Sequence, residues 1–253
     1  MSAAMTGTDE IAARLTKARA DRTAIGWLSA ELDGFDLASA YEVQRLLRRE
    51  AGPLAGWKLG VTSRAKQVQV GVNEPVRGFL AACNGLDLGS PLMVAEHIQP
   101  RCEPEIVFIM GADLSGPAVT SSAVLAATAS VAVGIEVLDS RYTDYTFTMP
   151  DVVADNTSAG RYVVGSAVPA AGLDLRLIGV VLAHNGEVIA TGPARPPRPP
   201  GGRAPRRPMR SLSPRRCARA PRRSAAGPGP PPGQANPPRT ARPRCCPPPR
   251  PAS

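Results

Sequence analysis

The feature that most constrains this chain is an abrupt change of composition after residue 192 of 253. Between Pro193 and Ser253, Pro, Arg, Ala and Gly fill 49 of 61 positions, and no Asp, Glu, Lys, His or aromatic residue occurs. A segment with so few large apolar side chains cannot bury enough surface to offset the entropy lost on folding. The sequence therefore predicts a fold confined to residues 1–192 and a disordered tail over 193–253.

The charge of the chain divides at the same place. The whole chain carries a formal +9 and the 15 Arg of the tail supply +15, so residues 1–192 carry −6. The pI of about 9.9 is due to the tail alone and indicates no nucleic-acid partner. No run of about 18 apolar residues occurs, so we expect no transmembrane helix. The first residues, Met1 to Arg14, lack the apolar segment of a secretory signal.

Cysteine and histidine are too few and too scattered for several classes of site. Two of the five Cys lie in the body and three in the tail, without C-x-x-C spacing, which is typical of reduced cytosolic thiols. The two His are His97 and His184. They exclude a multi-histidine zinc site and leave little from which to build a Ser-His-Asp triad.

The body divides into a helical part and a β-rich part. Apolar residues at helical spacing predict one helix after Thr8 and a second between Leu37 and Glu50. After Pro53, short apolar runs between Gly and Pro predict strands, interrupted by one helix at about 121–129. Asn185-Gly186 is the signature of a type I′ hairpin. The predicted strands are Gly56–Gly60, Ile106–Met110, Val131–Leu138, Tyr162–Val164, Ile178–Ala183 and Glu187–Ala190.

These patterns predict an α+β fold. Residues 1–53 form an N-terminal helical region, and residues 54–192 form a mixed β-rich domain that stops short at its C-terminal end.

Three acidic residues point to a metal site. Glu103 and Glu105 stand two positions apart on an extended segment, so their side chains share a face. Glu136 is a lone acid inside the apolar run 131–138, where a buried carboxylate needs a partner. Three carboxylates without His favour a hard divalent ion, Mg²⁺ or Mn²⁺, over zinc. The alternative is a solvated pair of carboxylates at the entrance of a strand.

Two further segments carry candidate polar residues. Lys58 is either held in a pocket, with a lowered pKa or bound to an anionic substrate, or exposed on a strand. Residues 155–158, Asp-Asn-Thr-Ser, form either a turn or helix cap or a loop that contacts substrate. Arg141 and Asp144 are expected to pair with each other, along a helix or at the surface.

Five motifs occur in the order and spacing of one family. They are GWKLGVTS (56–63), GVNEP (71–75), PRCEPE (100–105), GIEVLDSRY (134–142) and ADNTS (154–158). With them the chain resembles, from about residue 8 to Gly192, the hydratase/decarboxylase branch of the fumarylacetoacetate hydrolase superfamily.

The resemblance implies a set of site residues and a reaction. The implied residues are Glu103, Glu105 and Glu136 for Mg²⁺ or Mn²⁺, Lys58 as the active-site lysine, and Asp155, Asn156 and Ser158 for substrate. The implied enzyme is cytoplasmic and acts on a small 2-oxo acid, whose C1 carboxylate and 2-keto oxygen the ion would chelate. The expected partner is a second copy or a related hydratase/decarboxylase subunit, with neither nucleic acid nor a membrane involved.

Within the branch, two details favour decarboxylation of 2-oxo-3-hexenedioate (4-oxalocrotonate) over hydration of 2-oxopent-4-enoate. Hydratases commonly carry Pro-Asp before the glycine of the motif at 75–78, whereas this chain has Val76-Arg77 between Pro75 and Gly78, which removes a group for proton relay. Residues 139–147 resemble the aromatic segment of the decarboxylase. A non-catalytic protein that binds a related subunit is the alternative from another class.

The chain departs from the family pattern after Thr191-Gly192. The family continues with a Gly-His-Pro segment, a helix and further strands that close the site, and the sequence after residue 192 contains none of these. Codons made only of G and C encode Gly, Ala, Arg and Pro, so we expect a reading-frame shift near codon 193. On that interpretation the chain as written is inactive. The alternative is a genuine Arg-rich interaction tail.

Overall fold

The computed structural model describes residues 7–62, 67–68, 75–116 and 119–193. Helices and mixed sheets together give the α+β fold that the sequence predicts. The predicted disordered tail beyond Pro193 and residues 71–74 of the second motif lie outside the described residues. Within these described ranges, no helix has both the length and the apolar character needed to cross a membrane.

Helices α1 (Gly7–Asp21) and α2 (Leu37–Glu50) confirm the two predicted N-terminal helices. The start of α2 is fixed by Asp36, whose carboxylate accepts a hydrogen bond of 2.8 Å from the backbone N–H of Ser39, as expected of a helix N-cap. The two helices pack on a core to which later segments also contribute. Its buried members are Ile11, Leu15, Leu28, Ala40, Val43, Val76, Tyr142, Val153 and Ala154. The helical region and the later segments therefore share one apolar core.

The strands of the described residues form three sheets. The first is an antiparallel pair of β1 (Leu54–Gly60) and β2 (Val76–Ala81). The second contains β3 (Gly85–Leu86), β4 (Arg101–Met110), β5 (Thr128–Leu138), β6 (Ala159–Val164) and β7 (Val168–Pro169). The third pairs β8 (Gly179–His184) with β9 (Glu187–Pro193). Helix α3 (Ser121–Ala127) precedes β5, and helix α4 (Met149–Ala154) lies between β5 and β6.

The five-stranded sheet has the order β3-β6-β5-β4, and β7 also pairs with β5. The β3–β6 pair is parallel, and the other pairs are antiparallel. Strand β4 begins five residues before the predicted start at Ile106 because β5 offers a pairing partner along the whole segment. Glu103 and Glu105 therefore lie inside a strand, not at its entrance.

The predicted hairpin at Asn185-Gly186 is confirmed. Both residues have positive φ, 52° and 84°, as a type I′ turn requires. Four elements, β2, β3, β7 and α4, were not predicted. A capping box between Thr148 and Asp151 begins α4, and this spacing is the sequence signal that would have located the helix.

The two faces of β5 differ in character. Val133 and Ile135 are 59% and 40% exposed, whereas Glu136 on the opposite face is 7% exposed. On the face that carries Glu136, Lys58 of β1 contacts its carboxylate, and the candidate site lies there.

Candidate metal centre

Three carboxylates converge on one face of the β4–β5 pair. Glu103 and Glu136 are cross-strand partners, and Glu105 lies two positions further along β4, opposite Gly134. One carboxylate oxygen from each of the three glutamates lies within 4.8 Å of the others. Like charges directly across an antiparallel pair repel each other. The arrangement therefore needs positive charge close to the cluster.

Lys58 supplies one positive charge. Its Nζ lies 2.6 Å from Oε1 of Glu136, and the two side chains are only 10% and 8% exposed. The same Nζ donates a hydrogen bond of 3.0 Å to the backbone carbonyl of Thr157. The interpretation of Lys58 as an exposed strand residue is therefore wrong. Strand β1 directs this lysine towards the central sheet.

The charge of Glu136 is only partly compensated by this contact. Burial raises the pKa of the Glu136 carboxyl, Lys58 acts in the opposite direction, and Glu103 raises it further. Although the ammonium is at ion-pair distance, Oε1 receives no hydrogen bond of regular geometry from the described residues. Three carboxylates and one ammonium leave a formal charge of −2. A buried, under-satisfied oxygen in an all-carboxylate cluster of this charge suits a hard divalent ion.

Asp155 interacts with protein groups other than the three glutamates. It is fully buried, it forms an ion pair with Arg141, and its Oδ2 accepts a hydrogen bond of 3.3 Å from the Ser158 hydroxyl. Burial raises the pKa of Asp155 to about 6, and Arg141 acts in the opposite direction.

The expected pairing of Arg141 with Asp144 is wrong. Arg141 is buried, donates to the backbone carbonyls of Asp139 (2.8 Å) and Ala159 (3.1 Å), and contacts Asp155. The chain reverses direction through α4 and brings Asp155 back to Arg141. The spacing of nearby charges could not reveal that path.

The side chain of Asn156 binds the backbone of β2. Its Oδ1 accepts a hydrogen bond of 2.8 Å from the N–H of Phe79, and its Nδ2 donates one of 2.9 Å to the Phe79 carbonyl. Residues 156–158 all have positive φ, between 51° and 58°, and form a left-handed turn. The structure thus brings the lysine, the three glutamates and this loop together. The polar groups of Asp155, Asn156 and Ser158 are engaged by protein atoms.

Sequence reasoning missed three contributors to the site. They are Thr157, whose carbonyl holds Lys58, Arg141, which pairs with Asp155, and Gly78, against which the turn packs. An added Cβ at Gly78 would lie 2.3 Å from the Thr157 hydroxyl and 2.8 Å from the Asn156 carbonyl. A glycine inside an apolar strand indicates such a close approach, and this was the available signal.

An α+β scaffold with three clustered carboxylates and a paired lysine is the arrangement expected of a metal-dependent enzyme. No family model matches the chain. The 4-oxalocrotonate decarboxylase of Pseudomonas sp. (strain CF600) is 39% identical over 181 residues, which cover 65% of this chain and 69% of that protein. The 2-hydroxypent-2,4-dienoate hydratase of Pseudomonas putida is 39% identical over 192 residues, covering 73% and 86%.

A solved structure agrees with these relatives. The 4-oxalocrotonate decarboxylase from Pseudomonas putida G7, complexed with magnesium and adipate, matches with a TM-score of 0.72 and 34% identity over 76% of each chain. The chain therefore belongs to the hydratase/decarboxylase family of the fumarylacetoacetate hydrolase superfamily, whose named relatives are decarboxylases and hydratases.

Proposed function

We propose that Glu103, Glu105 and Glu136 bind one divalent ion, Mg²⁺ or Mn²⁺. The observation that carries this proposal is the approach of three carboxylate oxygens to within 4.8 Å of one another on one sheet face. The magnesium in the related decarboxylase structure supports the choice of a hard ion. An ion held there would act as a Lewis acid towards the carboxylate and 2-oxo oxygens of the substrate.

Lys58 is the proposed catalytic residue. Its ammonium has three N–H donors. The Thr157 carbonyl accepts one hydrogen bond from it and Glu136 lies at ion-pair distance, so the ammonium keeps donor capacity for substrate. In this position Lys58 orients a substrate carboxylate or transfers a proton. Because both Lys58 and Glu136 are nearly buried, water screens this charge poorly, and the interaction with an anionic substrate is strong. Asp155, Asn156 and Ser158 form the loop beside it.

The proposed reaction is decarboxylation of 2-oxo-3-hexenedioate to 2-hydroxypenta-2,4-dienoate. The leaving carboxylate on C5 is vinylogous to that of a β-keto acid. When CO₂ departs, the electron pair left at C5 passes through the C3–C4 double bond to the C2 oxygen, which then takes up a proton. No Schiff base with Lys58 is needed. The decarboxylase named among the relatives supports this substrate.

Hydration of 2-hydroxypenta-2,4-dienoate is the second candidate. It is favoured by the hydratase relative, of which this chain covers 86%. The two activities are separated by supplying each substrate to the frame-corrected enzyme and measuring CO₂ and 4-hydroxy-2-oxopentanoate. Release of CO₂ from 2-oxo-3-hexenedioate supports the decarboxylase. Formation of 4-hydroxy-2-oxopentanoate without CO₂ supports the hydratase. Neither product, together with binding of a related subunit, supports the non-catalytic alternative.

The proposal extends to partners and location. We place the enzyme in the cytoplasm, as a homo-oligomer or in a complex with a related hydratase/decarboxylase subunit. The exposed apolar face of β5 at Val133 and Ile135 is consistent with contact to further polypeptide. Sedimentation of the chain alone and with such a subunit tests this part.

A reading-frame shift near codon 193 is also part of the proposal. Its support is the composition of residues 193–253, in which 49 of 61 positions hold the four residue types of G/C-only codons. Strands β8 and β9 expose Val181 and Val188 at 64% and 62%, which is consistent with missing packing partners. Translating the other two frames past codon 192 tests the idea. An apolar ending that contains Gly-His-Pro is expected, and its absence from both frames contradicts the shift.

A further inference from the structure

The side chain of Asn156 is committed to the backbone of a neighbouring strand. It is 5% exposed, and both polar atoms of its amide bind the N–H and C=O of Phe79 on β2. An amide used in this way substitutes for the backbone of a paired strand. It has little capacity left for substrate, so its contribution to the site must pass through something that it holds in place.

What it holds is the left-handed turn over residues 156–158. Thr157 has φ 51°, a conformation that is rare for a β-branched residue and persists only where the surroundings enforce it. On one side, the ion pair of Asp155 with Arg141 anchors the chain. On the other, the Asn156–Phe79 pair fastens the turn to β2.

The turn places the Thr157 carbonyl against Lys58. The Lys58 Nζ donates to this carbonyl at 3.0 Å, and Lys58 is the register partner of Gly78, which immediately precedes Phe79. Lys58 is thus connected to the turn in two ways. One is the direct hydrogen bond to the Thr157 carbonyl, and the other runs through the β1–β2 pairing to Phe79, which binds Asn156. Displacement of the turn from β2 would remove one of the two protein oxygens that orient the ammonium.

We infer that Asn156 is a positioning residue for Lys58, acting through the Thr157 carbonyl. This inference rests on the proposed function in one respect, namely that Lys58 is the lysine that contacts substrate. The positioning itself is a property of the protein without substrate, so it can be measured even if the proposed reaction is wrong.

The experiment compares amine labelling of individual lysines in the 253-residue chain. The sequence contains three lysines, Lys17, Lys58 and Lys66, so peptide mass spectrometry resolves each one. Asn156→Gly removes the amide that binds Phe79 but keeps a residue that accepts positive φ. Gly78→Ala removes no polar group, but its added methyl group would displace the turn. Gly56→Ala is the matched control, because its added Cβ meets nothing within 4 Å.

Labelling of Lys58 relative to the exposed Lys17 should rise about 5-fold in Asn156→Gly and in Gly78→Ala, the factor expected for loss of one hydrogen bond. It should stay unchanged in Gly56→Ala. An unchanged Lys58 rate in the two test variants overturns the inference. Loss of the cooperative urea-unfolding transition in both test variants, together with the Lys58 rise, indicates general unfolding and a purely structural role for Asn156, and it also overturns the inference.

Turnover gives a second readout where activity is present. Misplacement of Lys58 should lower kcat by about 10- to 100-fold with little change in KM. In a Lys58→Ala background, Asn156→Gly should add almost no further loss, because the two residues act as one unit. Additive losses contradict the inference. Failure of the proposed function would appear as lack of both products in the frame-corrected enzyme, while the Lys58 labelling difference would remain.

Discussion

The ammonium of Lys58 and the carboxylate of Glu136 form an ion pair of 2.6 Å between two sheets, with both side chains almost buried. This contact joins the β1–β2 pair to the five-stranded sheet at the three-carboxylate cluster. Lys58 and the proposed divalent ion therefore compete for the same negative charge.

That competition gives a prediction for Lys58→Met. Removing the ammonium takes the paired cation away from Glu136, so Mg²⁺ should bind at least as tightly as in the unmodified chain. In the frame-corrected enzyme, catalysis should fall by at least about 100-fold, the scale associated with acid–base groups. Calorimetric titration with Mg²⁺ and a CO₂ assay measure the two effects. Weaker binding of Mg²⁺ in this variant would contradict the competition.

Lys17→Met is the matched control for this experiment. Its side chain is 76% exposed and pairs with Asp21 at the surface of α1. Exposed pairs of this kind contribute little. We expect this substitution to leave the Mg²⁺ affinity of the chain and the activity of the frame-corrected enzyme unchanged.

The buried Asp155 gives a prediction about pH and stability. Its pKa is about 6 in the folded chain, against an ordinary value of 3.8. Between about pH 4 and 6 the folded chain therefore retains a proton that the unfolded chain has released. The stabilisation from this proton is complete below about pH 4 and is lost as pH rises through about 6, and its size is about 3 kcal/mol.

Urea unfolding of the unmodified chain and of Asp155→Asn, at a series of pH values, isolates this contribution. As pH rises from 4 to 6.5, the free energy of unfolding of the unmodified chain should fall relative to that of Asp155→Asn. A constant difference, or a shift in the opposite direction, would mean that Arg141 keeps the Asp155 pKa at or below its ordinary value.

Asp151 gives a prediction about the hydrogen bonds that connect α4 to Ser29 in the N-terminal region. Its carboxylate is completely buried and accepts hydrogen bonds of 2.9 Å from the backbone N–H groups of Ser29 and Thr148. Although burial acts to raise it, hydrogen bonds from Ser29 and Thr148 keep the pKa of Asp151 below its ordinary value. Asp151→Asn should lower the free energy of unfolding by about 2 kcal/mol.

Thermal unfolding of Asp151→Asn checks this value, with exposed Asp113→Asn as the control. Because Asp151 does not belong to the carboxylate cluster, its substitution should leave Mg²⁺ affinity unchanged in the folded protein. Loss of Mg²⁺ binding at a temperature where Asp151→Asn is folded would show that the two regions are coupled.

The parts of the fold that the sequence predicted are those with a local signal. The helical spacing in α1 and α2, the apolar run of β5 and the Asn185-Gly186 turn each depend on neighbours in the chain. The identity of the three glutamates came from spacing on β4 and from one unpartnered acid on β5. Their mutual approach follows once the two strands pair in register.

The parts that the sequence did not predict depend on contacts between distant segments. Arg141 finds Asp155 only after α4 reverses the chain, and Asn156 finds Phe79 across 77 positions. Strand β2 escaped prediction because its identity depends on pairing with β1. No periodicity in the sequence encodes such contacts. Gly78 was the one local signal, because a glycine in an apolar segment indicates that another part of the chain approaches closely.

The central claim is that the three glutamates bind one divalent ion. Its most direct test is a calorimetric titration with Mn²⁺ of three proteins, namely the unmodified chain, Glu103→Gln and Glu187→Gln. Glu103 faces Glu136 across the strand pair, whereas Glu187 is an exposed strand glutamate remote in sequence from the cluster. The unmodified chain and Glu187→Gln should bind one ion per chain. Glu103→Gln should bind it at least about 10-fold more weakly, since even outer-shell changes cost that much. Equal affinity in Glu103→Gln and the unmodified chain would contradict the assignment of the three glutamates as the metal site.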